Sequence, residues 1–356
     1  MPPELLPNMQ RDVPLAPLTT IGIGGPARYF LRAQTVDAIR EAVRWSQENG
    51  IPLFVLAGGS NLLISDDGFD GLVLQIDLRG ITVESEDTHA MVKAAAGEPW
   101  DAFVAMAVAN GWAGIECLSG IPGSVGATPI QNVGAYGQEV AETIVRVEAL
   151  DRTTDRVVGF TTSECRFAYR SSLFKSHERE RYIVLNVTFR LRAGGEATVR
   201  YPELRKKLDE QGVAMRDLGH VREAVIAIRK RKGMVLDPDD PDTRSDGSFF
   251  MNPIIPASRL DPFLAKARTL LGDGMAPPHF PSGEEVKLSA AWLIEHAGFA
   301  KGFVHGNVGL SSKHSLAVIN RGGGTAREVK ELVEMIQRAV RERFGVEIEP
   351  EPNFIG

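Results

Sequence analysis

Glycine placement constrains this chain more than any other feature of its sequence. The residue gathers in short clusters at the ends of apolar runs. Gly58-Gly59-Ser60-Asn61 follows Leu53-Phe54-Val55-Leu56, and Ser119-Gly120-Ile121-Pro122-Gly123-Ser124-Val125-Gly126-Ala127 follows a helical segment and a short connector. A third cluster, Pro129-Ile130-Gln131-Asn132-Val133-Gly134-Ala135-Tyr136-Gly137, comes directly after. The 36 glycines are about one residue in ten of the 356, above the ~7% norm. Backbone N–H groups in succession, without bulky side chains, form concave anion sites suited to a pyrophosphate. One such loop is most simply a tight turn; two, with a third behind them, point to a bound dinucleotide.

The segments between the loops alternate helix and strand. Val36, Ile39 and Val43 share one face of a helix that stops at Asn49-Gly50, a favoured C-terminal cap. Leu62-Leu63-Ile64 is a second short apolar run, and residues 100–108 repeat the helical pattern up to Asn110-Gly111. From about residue 143 to 191 the signal turns to strands: Val145, Val147 and Ala149 alternate with polar neighbours, Val157-Val158 follows a turn, and residues 182–191 are rich in β-branched side chains. Residues 220–232 read as a basic-ended helix, and an acidic, proline-punctuated loop at 236–246 marks a domain edge. Residues 288–296 read as a helix and 316–319 as a buried strand. After Gly322-Gly323-Gly324, which is simply a turn, a long helix runs to Phe344, with Thr325 and Glu328 as a capping box. The pattern is α+β, and the length suits two or three domains of about 150 residues.

The charge balance of −6 argues against a general nucleic-acid or membrane-surface binder, and no apolar run is long enough to span a bilayer. Cys117 and Cys165 have no C-x-x-C spacing and read as reduced packing residues of a cytoplasmic protein. No signal peptide is evident at the N-terminus. The seven histidines show no metal-ligand spacing, so no metal is expected. A nucleophile elbow and a Walker A loop are also missing from the sequence. Gly22-Ile23-Gly24-Gly25-Pro26-Ala27 fits G-x-G-x-x-A only on paper: prolines precede it and Pro26 lies inside it, so a turn feeding a strand near Tyr29-Phe30 is the better reading. A redox enzyme with a tightly held organic cofactor stays open.

Five motifs in order give the chain a resemblance. Ile121-Pro122-Gly123-Ser124-Val125-Gly126, residues 129–137, Tyr169-Arg170-Ser171-Ser172-Leu173-Phe174-Lys175, Gly247-Ser248-Phe249-Phe250-Met251-Asn252-Pro253 and Glu349-Pro350-Glu351-Pro352-Asn353-Phe354-Ile355-Gly356 are similar to the UDP-N-acetylenolpyruvoylglucosamine reductase (MurB) family, and Tyr201 with the segment around it resembles the type I subgroup. The resemblance runs from about Thr19 to the last residue. It implies an α+β protein with a two-lobed PCMH-type (vanillyl-alcohol-oxidase-like) FAD-binding fold and a third, substrate-binding α+β domain. The expected division is residues 1–80 plus 345–356 for lobe one, 81–230 for lobe two and 231–344 for the substrate domain. It also implies FAD as bound cofactor and NADPH as reductant. The implied reaction converts the enolpyruvyl ether of UDP-N-acetylglucosamine to the lactyl ether of UDP-N-acetylmuramate, for peptidoglycan precursor synthesis. A monomer is expected.

The resemblance implies a role for each matched residue. Hydride arriving on the terminal alkene carbon leaves negative charge delocalised into the neighbouring carboxylate, which needs partners placed in advance. Arg170 and Glu351 take that role. Glu351 can help only by donating a hydrogen bond or by orienting Arg170, because two bare anions repel. Ser248 then supplies the proton to the α carbon. Cofactor contacts fall to Gly58, Gly59, Ser60, Asn61, Gly123, Ser124, Gly126, Ala127, Asn132, Gly134, Ala135 and Arg229. Substrate contacts fall to Tyr136, Tyr201, Lys232, Asn252 and His314. Lys232 and Arg229 also suit a helix C-terminus, where cations complement the dipole.

The sequence departs from the family at Thr19, where many relatives carry Asn, and at Met251, where a lysine is common. Two other readings stay open at this point: another PCMH-type FAD oxidoreductase, or a nucleotide-sugar binding protein that kept the fold and lost activity.

Overall fold

The computed structural model describes residues 3–176, 178–213, 217–272 and 275–356; His177 lies outside them. Helices and strands interleave along the chain, as an α+β protein requires. They gather into two compact units. The first comprises Met1–Val13, Ala27–Gly59 and Asp70–Arg231; the second comprises Pro14–Pro26, Ser60–Phe69 and Lys232–Gly356.

In the first unit a four-stranded sheet has the order Gln10–Pro14, Pro26–Ala33, Phe69–Ile76, Leu53–Leu56. Its Leu53–Leu56 strand runs parallel to Phe69–Ile76. Helix α1 (Val36–Glu48) begins where Thr35 accepts the Ala38 N–H, and buries Ile39, Ala42, Val43 and Trp45. It ends at Asn49 and Gly50, whose φ of 62° suits glycine. The second sheet has the order Arg156–Thr161, Ile144–Asp151, Tyr182–Ala193, His89–Ala95, Ile81–Ser85, with Trp112–Ala113 also on Tyr182–Ala193. Helix α2 (Trp100–Ala109) supplies Trp100 and Phe103, which pack with Phe189 at ring distances of 5.9 and 4.9 Å. Helices α3 (Pro202–Glu210) and α4 (Leu218–Arg231) pack through Leu204, Leu208, Val221, Val225 and Ile228.

The second unit holds α5 (Leu260–Leu271), α6 (Ala290–His296) and α7 (Ala326–Phe344) with small sheets. The strand Glu285–Leu288 precedes α6, so the segment read as one helix from 288 divides at Ser289. That side chain accepts the Trp292 N–H and starts the helix there. The end of the chain, Asn353–Ile355, pairs in parallel with Leu62–Ile64. Helix α7 buries Val329, Leu332, Val333, Ile336 and Val340 and closes on Gly345 at φ 70°. Thr325 and Glu328 form the capping box, and the Asp66 carboxylate accepts the Ala326 and Arg327 N–H groups at 2.7 and 3.0 Å. Thr325→Ala removes one of these acceptors and is expected to cost about 1 kcal/mol in a denaturant titration.

Candidate active site

The two glycine-rich loops meet in the first unit. A Cβ built on Gly58 would lie 2.4 Å from the Gly123 Cα and 2.8 Å from its carbonyl carbon. No side chain fits there, so backbone lies on backbone. Gly59 has φ 65° and Gly123 φ 116°. The loop is stitched to the turn before α2: Trp100 N–H donates to the Gly123 carbonyl at 3.1 Å, Val125 N–H to Glu98 and Gly126 N–H to Ala96, both at 2.9 Å. A Cβ on Gly126 would sit 2.5 Å from the Ala96 Cβ, so that close approach needs glycine. Ala127 lies in the 3-10 turn Val125–Ala127 that Ser124 begins. The Ser124 hydroxyl is buried with no hydrogen-bond partner among the described residues. A cradle of bare backbone and a buried hydroxyl still short of a partner suit the pyrophosphate of a dinucleotide such as FAD.

An ion pair that was not legible in the sequence holds this loop. Asp101, in the first turn of α2, accepts the Gly120 N–H at 2.6 Å and both arms of the Arg222 guanidinium at 2.6 and 2.9 Å. Burial pushes the Asp101 carboxyl up, but the guanidinium and the Gly120 amide outweigh it and hold it below its usual range.

Arg170 sits on a tight hairpin. Ala168 and Ser171 exchange both backbone hydrogen bonds, at 3.0 and 3.1 Å, leaving Tyr169 and Arg170 at the tip. Arg170 has φ 52°, an uncommon conformation for a residue with a Cβ and one that marks over-determined positions. Its Nη2 donates to the Gly134 carbonyl at 2.8 Å, and a Cβ on Gly134 would lie 3.2 Å from Nη1. Gly134-Ala135 is therefore shaped to receive the arginine. Asn132, at φ 46°, spends its side chain as a brace: Nδ2 donates to Glu139 at 2.8 Å and to the Ala168 carbonyl at 3.1 Å, and Oδ1 accepts the Ala141 N–H. Its bond to Ala168 ties it to the hairpin that carries Arg170.

Tyr136, at φ 50°, meets Tyr201 edge to face with ring centroids 5.4 Å apart. Burial pushes the Tyr136 hydroxyl up to about 12, against the Arg229 charge, which pulls it down. Tyr201 caps α3 and stays 42% exposed, so half of this aromatic pair is open to a ligand. Arg229, in the last turn of α4, is half-buried; burial lowers its pKa while Tyr136 and Asp101 pull it up.

The second unit carries Ser60, Asn61, Lys232, Ser248, Asn252, His314 and Glu351. Here the backbones of the Ser248 and Glu351 segments are paired. Glu351 N–H donates to the Phe249 carbonyl at 2.8 Å, Met251 N–H to Glu349 at 2.9 Å, and Phe250 bridges Pro350. Phe249 N–H donates to the Leu316 carbonyl at 2.7 Å on the other side. The buried rings of Phe249 and Phe250 anchor the strap and leave Ser248 half-buried at its start, after Gly247 at φ 76°. Asn61 joins through its carbonyl, which accepts the Asn353 N–H at 3.0 Å. Asn252 Oδ1 accepts the Ala290 N–H at 3.0 Å, at the start of α6. His314 lies in the turn 311–317, where its N–H donates to the Ser311 hydroxyl at 3.3 Å. Lys232 follows α4 directly.

Comparison with known proteins decides what this arrangement belongs to. Residues 239–355 match the family model for the C-terminal domain of UDP-N-acetylenolpyruvoylglucosamine reductase, and residues 27–159 match an FAD binding domain. A reductase of that name from Thermobifida fusca is 48% identical over 98% of both chains. One from Streptomyces coelicolor is 47% identical over 97% of this chain and 90% of its own.

The chain belongs to the UDP-N-acetylenolpyruvoylglucosamine reductase family.

The crystal structure of the Thermus caldophilus reductase (MurB) shares the fold, with a TM-score of 0.65 at 24% identity, over 98% of this chain and all of that one. The segment assigned to FAD binding carries Gly58, the 123–127 loop and Gly134-Ala135. The reductase C-terminal segment carries Ser248, Asn252, His314 and Glu351. Arg170, Tyr201, Arg229 and Lys232 fall between the two. No helix among the described residues is long and apolar enough to cross a membrane.

Proposed function

We propose that the chain reduces the enolpyruvyl ether of UDP-N-acetylglucosamine to UDP-N-acetylmuramate with NADPH. The observation that carries this reading is the backbone pairing of the Ser248 strap with the Glu351 segment, in a chain whose kinship with named reductases runs end to end. Bound FAD would supply the hydride chemistry that links NADPH to the terminal alkene carbon. The protein's own residues do the rest. Gly58, Gly59, Gly123, Ser124, Gly126 and Ala127, with Ser60 and Asn61, hold the dinucleotide, the bare loops admitting its pyrophosphate and Ser124 offering a hydroxyl. Arg170, locked by Gly134 and the Asn132 brace, receives the charge that develops on the substrate carboxylate. Glu351 donates to that carboxylate or orients Arg170. Ser248 gives its proton to the α carbon, which is basic enough at that stage to take one from a hydroxyl. Tyr136 and Tyr201 cover the substrate, and Lys232, Asn252 and His314 bind its nucleotide.

The functional division we propose is the one expected from the sequence, with FAD lobes over 1–80 plus 345–356 and over 81–230, and a substrate domain over 231–344. We place the enzyme in the cytoplasm, as a monomer; its free thiols, Cys117 and Cys165, are buried, and burial pushes both well above the usual thiol range. With the flavin-loaded protein, NADPH oxidation should require UDP-N-acetylglucosamine enolpyruvate, and the lactyl ether should form in equal amount. Oxidation that proceeds equally well with UDP-N-acetylglucosamine as the only sugar nucleotide would count against the reading.

A further inference from the structure

Two residues before Ser248 stands a carboxyl with no counter-charge among the described residues. Asp246 is buried, 7% exposed, on the short segment that Ser245 ties to Ile319 and that turns at Gly247 into the Ser248 strap. Its Oδ1 accepts the Thr20 hydroxyl at 3.0 Å. Its Oδ2 is buried with no hydrogen-bond partner among the described residues. The groups that act on its titration are the Thr20 hydroxyl, on the 15–25 turn, and the backbone N–H of Leu62, at the start of the Leu62–Ile64 strand; neither is charged and neither titrates. Burial outweighs both and pushes the carboxyl up to about 8, so near neutrality most molecules hold it as an acid. A lone carboxylate in that position would be desolvated and uncompensated.

We propose that Asp246 is a positioning residue that works only in its protonated form, holding the segment that turns at Gly247 into Ser248 through its bond to Thr20. Ionised, it is a buried anion with one oxygen unpartnered among the described residues, so it pulls towards water and loosens the turn that presents Ser248. Proton delivery therefore shuts down on the alkaline side, while reduction of the flavin, which does not use Ser248, is spared. The inference rests on the assignment of Ser248 as the proton donor in the proposed reaction.

The test is anaerobic stopped-flow on the FAD holoenzyme reduced with NADPH and mixed with UDP-N-acetylglucosamine enolpyruvate, from about pH 7 to about pH 9.5. Protonated Asp246 falls roughly thirtyfold by the upper end of that range, and the wild-type reoxidation rate should fall with it. In Asp246→Asn the ratio of the rates at the two ends should stay within about twofold, because the amide cannot ionise. Flavin reduction by NADPH should keep one pH dependence in both proteins. Thr20→Val removes a hydrogen bond that favours the carboxylate, so it should move the alkaline limb to higher pH. If Asp246→Asn fails to fold, that displacement carries the test. An alkaline limb that persists in Asp246→Asn, that stays put in Thr20→Val, or that is missing from the wild type overturns the inference alone. Reduced enzyme that is never reoxidised at any pH overturns the reaction assignment, and the inference with it.

Discussion

Ser248→Ala is expected to leave reduction of the flavin by NADPH intact and to slow its reoxidation by the enolpyruvyl substrate about 10²- to 10⁴-fold, the usual range for a lost general acid. The selectivity follows from where the residue stands. Ser248 is the half-buried first residue of a strap whose next two side chains, Phe249 and Phe250, are fully buried anchors. The strap is held by backbone bonds to Leu316 and to Glu349 and Glu351, none of which uses the serine side chain. Removing one oxygen should therefore leave the fold and FAD content unchanged while taking away the proton source. Separate stopped-flow traces for the two half-reactions read this directly. A variant slowed equally in both, or in neither, would remove Ser248 from the proton-transfer step.

The second large effect is expected at Gly58. Gly58→Ala places a methyl group 2.4 Å from the Gly123 Cα and 2.8 Å from its carbonyl carbon, distances real Cβ atoms do not tolerate. The obstacle is backbone, so no rotamer change relieves it, and the two loops must part. Overpacking of this kind costs about 1–3 kcal/mol. Because those loops are the proposed pyrophosphate cradle, the cost should show as FAD affinity weakened about ten- to a hundredfold, and the protein should purify pale. Gly219→Ala makes the control. It lies inside α4, and its nearest neighbour is the tip of the Asp217 side chain at 3.2 Å, so FAD content should match the wild type. Gly58→Ala with full FAD occupancy would separate the loop contact from cofactor binding.

Local signals were legible where a few neighbouring residues decide the outcome. Asn49-Gly50 ends α1, and Thr325 with Glu328 starts α7, because caps are settled within one turn of chain. The helix read at 220–232 spans Leu218–Arg231, its apolar stripe facing α3. Helix α3 carries too few apolar residues in too short a span to stand out from loop composition. The division at Ser289 was missed because Leu288 fits the periodicity on either side of it.

The site was legible as motifs and illegible as contacts. Sequence alone marked Gly58 and Gly123 as loop glycines, but only the fold lays one on the other. Asn132 lies in a marked motif, yet its bonds to Glu139 and Ala168 make it a support for Arg170, a role that depends on a distant hairpin. Asp101 gave no signal beyond an acid in a helix's first turn, and its partner Arg222 lies on another helix. Asp246 looks like one more acid in a polar loop, and only burial makes it unusual. The net charge of −6 implies that an anionic sugar nucleotide is gathered by locally placed cations such as Arg170 and Lys232, because the overall field repels it.

The most direct measurement is an anaerobic absorbance experiment on the purified yellow protein, adding NADPH and then UDP-N-acetylglucosamine enolpyruvate. The expected result is full bleaching by one equivalent of NADPH and full return of colour with one equivalent of the enolpyruvyl substrate, with UDP-N-acetylmuramate as product. Bleaching without return of colour would contradict the reductase assignment, and a colourless protein that binds no added FAD would contradict the cofactor site itself.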